Sequence, residues 1–282
     1  MTPAPQTTAE LLQELRIECP GAHPADFHFT LESLHALESA EDTHFWPQVK
    51  RRLVLSLLRR FLSTQDFHLI DIGCGNGSLL GAVSEAFLSS KVAGMDGYLE
   101  GLIRCRKRSS DAHLFLHDIL HLRNLHDQLR ERYDAITVLD VLEHMDDPES
   151  AVRSMIPLLR PGGIVIATVP ALQSLWSDRD TFLGHRKRYA LPELRALFER
   201  QGFRILHASY LYAYMAVPVF LYRKILAPFR KHSGQAMEEN ELRPVPIVNS
   251  VLKAFGYFEV FLSRFLPLPF GTSAYCVAQK IA

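Results

Sequence analysis

Short apolar segments alternate with helical segments along most of the chain, and this alternation limits the possible folds more than any other feature. The pattern predicts seven strands, over residues 68–72, 91–96, 112–118, 133–140, 162–170, 203–210 and 273–281. Helical patterns separate most of these strands. Apolar strands that alternate with helices form a parallel sheet that is covered by helices on both faces. We therefore expect an α/β fold.

A long segment separates the last two predicted strands. Residues 211–272 are too many for a plain turn. They contain two apolar stretches, and the second repeats its apolar residues at helical spacing. We interpret the segment as an inserted helical cap. The predicted division of the chain is an N-terminal peripheral segment, 1–44, a main domain, 45–210 with 273–282, and this cap.

The charge balance argues against nucleic acid as a partner. The chain has 31 Lys and Arg residues against 31 Asp and Glu residues, whereas nucleic-acid-binding domains usually carry a basic surplus. The four cysteines are scattered, with no CxxC pair and no Cys/His spacing typical of metal ligands. The sequence therefore predicts free thiols in a reducing compartment and no metal site.

The sequence indicates a cytoplasmic location. Its first residues lack the basic start and apolar core of a signal peptide. No stretch reaches the ~18 uninterrupted apolar residues of a membrane-spanning helix, and the nearest, residues 211–222, is interrupted by Pro218. Aromatic and basic residues lie side by side around this stretch, which suits a membrane surface. The cap could therefore cover the substrate, contact the inner membrane surface, form a dimer contact, or pack as ordinary core.

A glycine-rich loop follows the first predicted strand. Gly73, Gly75 and Gly77 lie between a strand and a helix, where glycines let a ligand approach the backbone and the helix N-terminus offers free N–H groups. The spacing is GxGxG and not the GxGxxG of dinucleotide-binding proteins, which disfavours a nicotinamide dehydrogenase. Asp71 just before the loop argues against a pyrophosphate and suits an amino-bearing ligand.

Acidic residues end the next two strands. Asp96 ends the second strand, where a carboxylate can accept two hydrogen bonds from ribose hydroxyls. Asp118 ends the third strand, where a carboxylate can meet an adenine amino group. Together with the loop, these residues predict a site for a nucleoside that carries an amino group.

Several motifs, in this order, resemble class I S-adenosylmethionine-dependent methyltransferases. They are "LIDIGCGNG", "VAGMD", "LHDI", "VLDVLEHMDDPESAV", "LRPGG" and "FRILHASY". The resemblance covers residues 45–210 and the last strand, and "VLEHMDDPE" resembles the ubiquinone-biosynthesis O-methyltransferases. "HFW" and "GHRKRY" resemble a bacterial branch linked to cell-envelope glycan or lipid metabolism. The resemblance implies a Rossmann-like seven-stranded sheet of order 3-2-1-4-5-7-6, with strand 7 antiparallel.

The resemblance also implies how S-adenosylmethionine would bind. The glycine loop would surround its methionine part, and the carboxylate before the loop would lie near its amino group. Residues after the second and third strands would hold the ribose and the adenine, and residues after the fourth would lie near the sulfonium. The cofactor-binding residues implied are Asp71, Gly73, Cys74, Gly75, Gly77, Asp96, Gly97, Tyr98, Asp118, Ile119, Asp140 and Val141.

His144 is a candidate catalytic residue. It follows the fourth strand, and an ordinary histidine pKa of ~6.5 suits a general base. The alternative is a histidine that caps a helix or faces the core. A base is needed only if the acceptor is a hydroxyl that must lose its proton, because the activated methyl group needs mainly positioning.

The loop after the fifth strand is a candidate acceptor site. Ligands of open α/β sheets bind beyond the carboxyl ends of the strands, and arginine forks suit carboxylates and phosphates. Arg186 and Arg188 could share one face and grip an anion, or they could brace the loop against its acidic residues. The tentative substrate residues are Trp176, His185, Arg186, Arg188 and Tyr189.

The sequence as a whole predicts an enzyme that transfers a methyl group from S-adenosylmethionine to a small or lipid-linked acceptor at oxygen. The alternative is an accessory protein that binds S-adenosylmethionine without transferring the methyl group. The intact glycine loop and acidic strand ends favour the enzyme over this alternative.

Overall fold

The computed structural model describes residues 8–20, 41–119, 121–122, 126–223 and 245–281. Most of the predicted peripheral segment therefore lies outside the described residues, as does the polar loop of the predicted cap. The proposed division into domains stays a prediction.

Eight strands form one mixed sheet of order β1-β4-β3-β2-β5-β6-β8-β7. β8 pairs antiparallel with β6 and β7, and the other pairings are parallel. If β1 is left out and the remaining strands are renumbered from β2 as strand 1, this is the expected order 3-2-1-4-5-7-6. The strands are β1 Ile17–Glu18, β2 His68–Ile72, β3 Lys91–Asp96, β4 His113–Leu116, β5 Tyr133–Leu139, β6 Leu159–Pro170, β7 Phe203–Leu211 and β8 Ser273–Lys280.

The expected strand count is wrong by one. β1 adds an eighth strand beside β4, with Ile17 paired to Leu114 and Glu18 to Phe115. Arg106 fixes this edge because its guanidinium donates to the carbonyls of Leu15 and Arg16. A strand of two residues has no readable alternation, so the sequence pattern could not reveal it.

Helices surround the sheet. They are α1 Thr8–Glu14, α2 Phe45–Phe61, α3 Ser78–Ala86, α4 Leu99–Arg108, α5 His126–Leu129, α6 Pro148–Met155, α7 Asp178–Phe182, α8 Leu191–Glu199, α9 Ala213–Leu221 and α10 Pro246–Leu262. Asp147 caps α6 by accepting from the N–H of Ser150 at 3.0 Å. Pro157 predicts an early end of this helix, and α6 indeed gives way to a 3₁₀ turn at residues 156–158.

Successive residues of each central strand enter two separate cores. In β2, Leu69 is buried on one side of the sheet, and Ile70 and Ile72 are buried on the other. α2, α3, α4 and α10 cover the first side, and α6 and α8 cover the second. Burial on both faces explains why the parallel strands read as apolar runs rather than as alternating patterns.

α9 and α10 lie between β7 and β8, where the sequence predicts a helical insertion. α10 packs against α2, and a Cβ on Gly256 would come within 2.4 Å of Val49. The side chain of Asn249 accepts from the Phe45 N–H at 2.7 Å, which joins the two helices at their N-terminal ends. No helix among the described residues is long and apolar enough to cross a membrane.

The outer face of α10 and the turn after it is apolar and exposed. Six residues at helical spacing form this face, and each is between 48% and 73% exposed. We call these residues the α10 stripe: Val248, Val251, Phe255, Phe258, Phe261 and Phe265.

Candidate functional site

The glycine loop between β2 and α3 is held in a conformation that favours glycine. Gly73, Gly75 and Gly77 all have positive φ, at 78°, 49° and 74°. The N–H groups of Gly73 and Cys74 both donate to the Met95 carbonyl, at 2.8 and 3.0 Å, which fastens the loop to β3. Its position at the carboxyl end of β2 is where open α/β sheets bind ligands.

Of the three glycines in this loop, only Gly75 has open space beside it. A Cβ on Gly73 would come within 2.4 Å of Val141, and one on Gly77 within 2.4 Å of the Cys105 sulfur. A Cβ on Gly75 would meet nothing within 4 Å. Gly75 therefore presents bare backbone to open space, which suits a ligand that packs directly on the loop.

Asp96 joins the glycine loop to the start of α4. Its carboxylate accepts from the Gly75 N–H at 2.8 Å and from the Tyr98 N–H at 2.9 Å. Burial raises the pKa of Asp96, and the backbone donors oppose that rise. Gly97 and Tyr98 beside it are half-buried, as is Asp118 beyond β4, whereas the following Ile119 is buried.

Asp71 is buried beneath the loop. Its carboxylate accepts from the Thr137 hydroxyl at 2.6 Å. Burial raises the pKa of Asp71 to about 7, and the nearby carboxylates of Asp96 and Glu41 add to the rise, whereas the Thr137 hydrogen bond opposes it. The group is therefore poised to change charge near neutral pH.

Asp140 and Val141 follow β5, and Val141 packs against the glycine loop at Gly73. Asp140 has a positive φ of 53°, which is tolerated by aspartate but costs some strain. Its carboxylate accepts from the Thr168 hydroxyl at 3.0 Å and pairs with the ammonium of Lys50. The same ammonium lies 4.1 Å from the centre of the Trp46 ring, so α2 reaches this edge of the site.

The 3₁₀ turn after Asp140 brings a carboxylate and a histidine toward the loop after β6. Glu143, His144 and His185 each have a ligand atom within 4.8 Å of the other two. The two imidazole rings meet edge to face, with 4.9 Å between their centres. The prediction of no metal site rests on sequence spacing, and spacing could not detect this set because His185 belongs to a different loop.

Glu143 is buried completely, and neither carboxylate oxygen has a hydrogen-bond partner from another described residue. Burial raises the pKa of Glu143 well above its ordinary value, and the Asp140 carboxylate adds to that rise. Burial, with help from His185, lowers the pKa of His144 to about 4. His144 is therefore neutral at neutral pH, and this low pKa makes it a weak proton acceptor.

Asp180 is the centre of a buried ionic network behind His185. It lies 2.9 Å from Nδ1 of His185 and 2.7 Å from Nε of Arg188, and Arg223 reaches it at 3.4 Å. Because these partners favour the charged carboxylate, the pKa of Asp180 falls well below its usual range although burial acts in the opposite direction. Ser177 and Asp180 also form the capping box of α7.

Arg186 and Arg188 do not share one face of the loop. Arg188 is buried, with its guanidinium on Asp180 and on the Ala171 carbonyl. Arg186 is exposed and pairs with Asp146 at 3.2 Å. The segment pairs with a neighbouring strand only at one isolated bridge, so the side chains do not alternate as they would in a strand. The contacts of Arg188 match the other interpretation of the sequence, in which the arginine braces the loop against an acidic residue.

The other two tentative substrate residues differ in exposure. Tyr189 is buried and donates to the Leu142 carbonyl at 3.1 Å, which ties the loop after β6 to the 3₁₀ turn after β5. Trp176 is half-buried after a short 3₁₀ turn. Where a Ser or Thr cap is usual before α8, Ala190 donates its N–H to Glu193 at 2.8 Å, which supplies half of a capping box.

The sequence does not reveal the roles of three residues of this site. Lys50 pairs with Asp140, Glu143 is a buried carboxylate without a hydrogen-bond partner among the described residues, and Asp180 is the centre of a buried ionic network. Lys50 lies on a helix whose apolar spacing predicts only packing, and its partner is 90 residues away. Glu143 and Asp180 are acidic residues in polar stretches, where an exposed position is the ordinary expectation.

Comparisons with known proteins agree with this geometry. The sequence profile of a family described as "Methyltransferase domain" matches residues 45–208, more than half of the chain. The ubiquinone biosynthesis O-methyltransferase of Proteus mirabilis is 32% identical over 112 residues, which are 38% of this chain and 44% of that protein. That of Yersinia pestis is 35% identical over 98 residues, 34% of this chain and 40% of that protein. The chain thus spans less than half the length of these relatives.

Solved structures share the fold at low sequence identity. Phosphoethanolamine N-methyltransferase 2 of Haemonchus contortus, solved with S-adenosyl-L-methionine, has a TM-score of 0.57 at 16% identity and covers 90% of this chain and 58% of that chain. The plantazolicin methyltransferase BpumL, in complex with SAH, has a TM-score of 0.55 at 15% identity and covers 89% and 91%. At such identities the likeness concerns the fold alone.

Proposed function

We propose that the chain, which belongs to the methyltransferase domain family, is an S-adenosylmethionine-dependent methyltransferase that methylates a hydroxyl oxygen of a small or lipid-linked acceptor. The observation that carries the proposal is the meeting of the bare glycine loop, Asp71, Asp96 and Asp140 at one edge of the sheet. The names of the curated relatives support oxygen as the acceptor atom, although they match only part of their length.

The residues at this edge suit the cofactor. Open space beside Gly75 would take the methionine part, and the acidic Asp71 would complement its amino group. We assign the ribose to Asp96, the adenine to the residues around β3 and β4, and the sulfonium to the β5 end. The proposed contacts are Asp71, Gly73, Cys74, Gly75, Gly77, Asp96, Gly97, Tyr98, Asp118, Ile119, Asp140 and Val141.

The protein's contribution to the reaction would be chiefly positioning. When bound, S-adenosylmethionine supplies a methyl group that is already activated on a sulfonium. The loop and the carboxylates would fix that group, and the segment after β6 would hold the acceptor in line with it. His144 as the base stays a prediction. Its lowered pKa argues for a small contribution from proton abstraction.

The contacts of the five candidate substrate residues divide them into two groups. Arg188 and Tyr189 are buried in the bracing of the loop. Arg186 is exposed and pairs with the exposed Asp146. Exposed ion pairs are weak, so Arg186 can turn toward an anionic part of the acceptor. We therefore assign acceptor contact to Arg186, His185 and Trp176, and support of the loop to Arg188 and Tyr189.

The apolar surface between β7 and β8 fits a lipid-linked acceptor. The α10 stripe is exposed, and exposed arginines of α2 and the turn after α10 lie beside it. Arg264 donates to the Ser56 hydroxyl at 3.0 Å, and Arg60 donates to the Arg264 carbonyl at 3.0 Å. Apolar residues flanked by cations suit an anionic membrane surface, and we propose that this face rests there.

Transfer of a labelled methyl group tests the proposed function. Purified protein, deuterated S-adenosylmethionine and a bacterial lipid extract are expected to give a product that is heavier by one labelled methyl group and resists cleavage as an ether. Asp96→Ala should abolish the product by weakening cofactor binding. A labelled product with the methyl group on nitrogen would contradict oxygen as the acceptor atom, and no product from lipid or polar extracts would contradict the proposal.

A further inference from the structure

We propose that Glu143, His144 and His185 form a binding site for a divalent transition-metal ion, with Zn²⁺ the best match to its ligands. The three side chains come from the turn after β5 and the loop after β6, and their ligand atoms all lie within 4.8 Å of one another. Ligands of tetrahedral zinc, with bonds of about 2.0–2.2 Å, lie roughly 3.3 Å apart. To close the site, the ligand atoms would have to come at most about 1.5 Å closer together.

Glu143 is the first argument for a cation. Its carboxylate is fully buried, and neither oxygen is bonded to another described residue. A buried carboxylate without a partner is costly, and native proteins normally pair it or use it to bind a metal. A metal ion between Glu143 and the two imidazoles would neutralise this buried carboxylate.

The surroundings of the two histidines are the second argument. Asp180 lies 2.9 Å from Nδ1 of His185, which leaves Nε2 as the free nitrogen of that ring. The backbone of Gly184 accepts a hydrogen bond from His144, so one nitrogen of this ring is free as well. Metal-binding histidines usually donate their second ring nitrogen to a carboxylate or a backbone carbonyl, which orients the ring. Both histidines have that arrangement.

The loop itself is braced as a metal site requires. The Arg186 N–H donates to the Glu143 carbonyl at 2.6 Å, and the Tyr189 hydroxyl donates to the Leu142 carbonyl. Arg188 holds Asp180 in place behind His185. Two strand-end segments that are distant in sequence are thus fixed against each other at the point where the three ligands meet.

Two imidazoles and one carboxylate favour Zn²⁺ over Mg²⁺, which prefers oxygen ligands and water. Three protein ligands also leave a coordination position open, as in catalytic zinc sites. Resting on the proposed function, we assign that position to the acceptor's hydroxyl oxygen. The metal would favour loss of the hydroxyl proton to water. The O–CH₃ bond would then form as the S–CH₃ bond breaks, and S-adenosylhomocysteine would leave as a neutral thioether.

Metal binding is measured without any acceptor. The full chain is dialysed against EDTA, titrated with Zn²⁺ by calorimetry, and analysed for metal by mass spectrometry; Co²⁺ serves as a spectroscopic probe. We expect one Zn²⁺ per chain and visible Co²⁺ bands of a four-coordinate nitrogen and oxygen site. Glu143→Gln and His185→Asn should each weaken Zn²⁺ binding at least about 100-fold, and Asp180→Asn about 10–100-fold. His113→Gln, which removes a half-buried histidine beside Glu18, is the matched control.

S-adenosylmethionine binding, measured in the same samples, reports whether each variant is folded. A folded wild-type protein that binds no Zn²⁺ or Co²⁺ at micromolar concentrations overturns the proposal. Zn²⁺ binding that is kept in the three site variants, or that His113→Gln weakens as much as they do, also overturns it. Failure of the proposed function looks different, because metal would bind and no acceptor would be methylated.

Discussion

We expect the carboxyl group of Asp71 to make cofactor binding sensitive to pH. Its pKa is about 7 in the free protein because the group is buried, and the positive amino group of the cofactor needs the carboxylate form. Below pH 7 the cofactor must displace a proton, so its affinity rises with pH and levels off above this pKa. For a single group of this pKa, we expect affinity to increase about fivefold between pH 6 and pH 7.

Calorimetry with S-adenosylmethionine at several pH values measures this dependence. In Asp71→Asn the increase should vanish, since an amide does not titrate. Glu41 interacts with Asp71, and burial raises the pKa of Glu41 to about 7 as well; Glu41→Gln is therefore the control and should keep most of the increase. An Asp71→Asn variant with the wild-type pH profile would assign the titration to another group.

Substitution of Gly77 by alanine tests how tightly the glycine loop is packed against α4. Its φ is 74°, and a Cβ there would lie 2.4 Å from the sulfur of Cys105. Gly202 has a similar φ of 84° but open space around it. Gly202→Ala should cost only the backbone strain of about 1–2 kcal/mol, whereas Gly77→Ala should cost about 2–5 kcal/mol because overpacking is added.

Urea unfolding of the two variants measures both free energies of unfolding. The difference between them reports the packing contribution, because the backbone strain is nearly the same in both. Equal destabilisation by Gly77→Ala and Gly202→Ala would show that the loop moves aside without cost.

At the scale of elements, the α10 stripe determines the expected behaviour at a membrane. Burying one phenylalanine side chain is worth about 1.5–3 kcal/mol, so Phe258→Asp should reduce binding to phosphatidylglycerol-containing vesicles at least about tenfold. Leu88→Asp changes an even more exposed residue, 89% against 60%, that lies after α3 and outside the stripe, and should leave binding unchanged. Co-sedimentation with vesicles measures both variants.

The salt dependence of vesicle binding is a second test of the α10 stripe. Arg52 and Arg60 of α2 contact Tyr257 and Arg264, which are sequence neighbours of the stripe residues Phe258 and Phe265. The attraction of these arginines to anionic lipid weakens as salt rises. Binding that is equal on neutral and anionic vesicles would contradict the role of the arginines. Concentration-dependent dimers that Phe258→Asp abolishes, with no vesicle binding, would assign the stripe to a second copy of the chain.

At the scale of the whole molecule, the proposed cofactor site joins segments that are distant in the chain, so ligand binding should stabilise the fold globally. At a concentration of S-adenosylmethionine about 100 times its Kd, the folded state gains about 2.7 kcal/mol. For a domain of this size the melting temperature should rise by about 5–10 °C. NAD, whose binding motif the loop lacks, should give no shift in the same thermal assay. A shift with NAD and none with S-adenosylmethionine would contradict the cofactor assignment.

Local patterns made much of this structure predictable from the sequence. The glycine loop is local because its positive φ angles and its position between a strand and a helix depend on adjacent residues. β2 and β3 have the predicted bounds because apolar runs flanked by turn residues mark buried strands. The resemblance supplied the order of the strands, which propensity alone does not specify.

Tertiary structure decided the rest because it depends on which distant segments meet. The sequence placed His144 and His185 near the ligand edge, but only the packing of two loops brought their rings together beside the unpaired carboxylate of Glu143. Arg186 and Arg188 are nearly identical in sequence context. One is exposed and the other buried because Asp180, itself positioned by α7, lies on one side of the loop. Long-range pairs such as Lys50 with Asp140 leave no periodic trace in the sequence, since each partner is set by a different element.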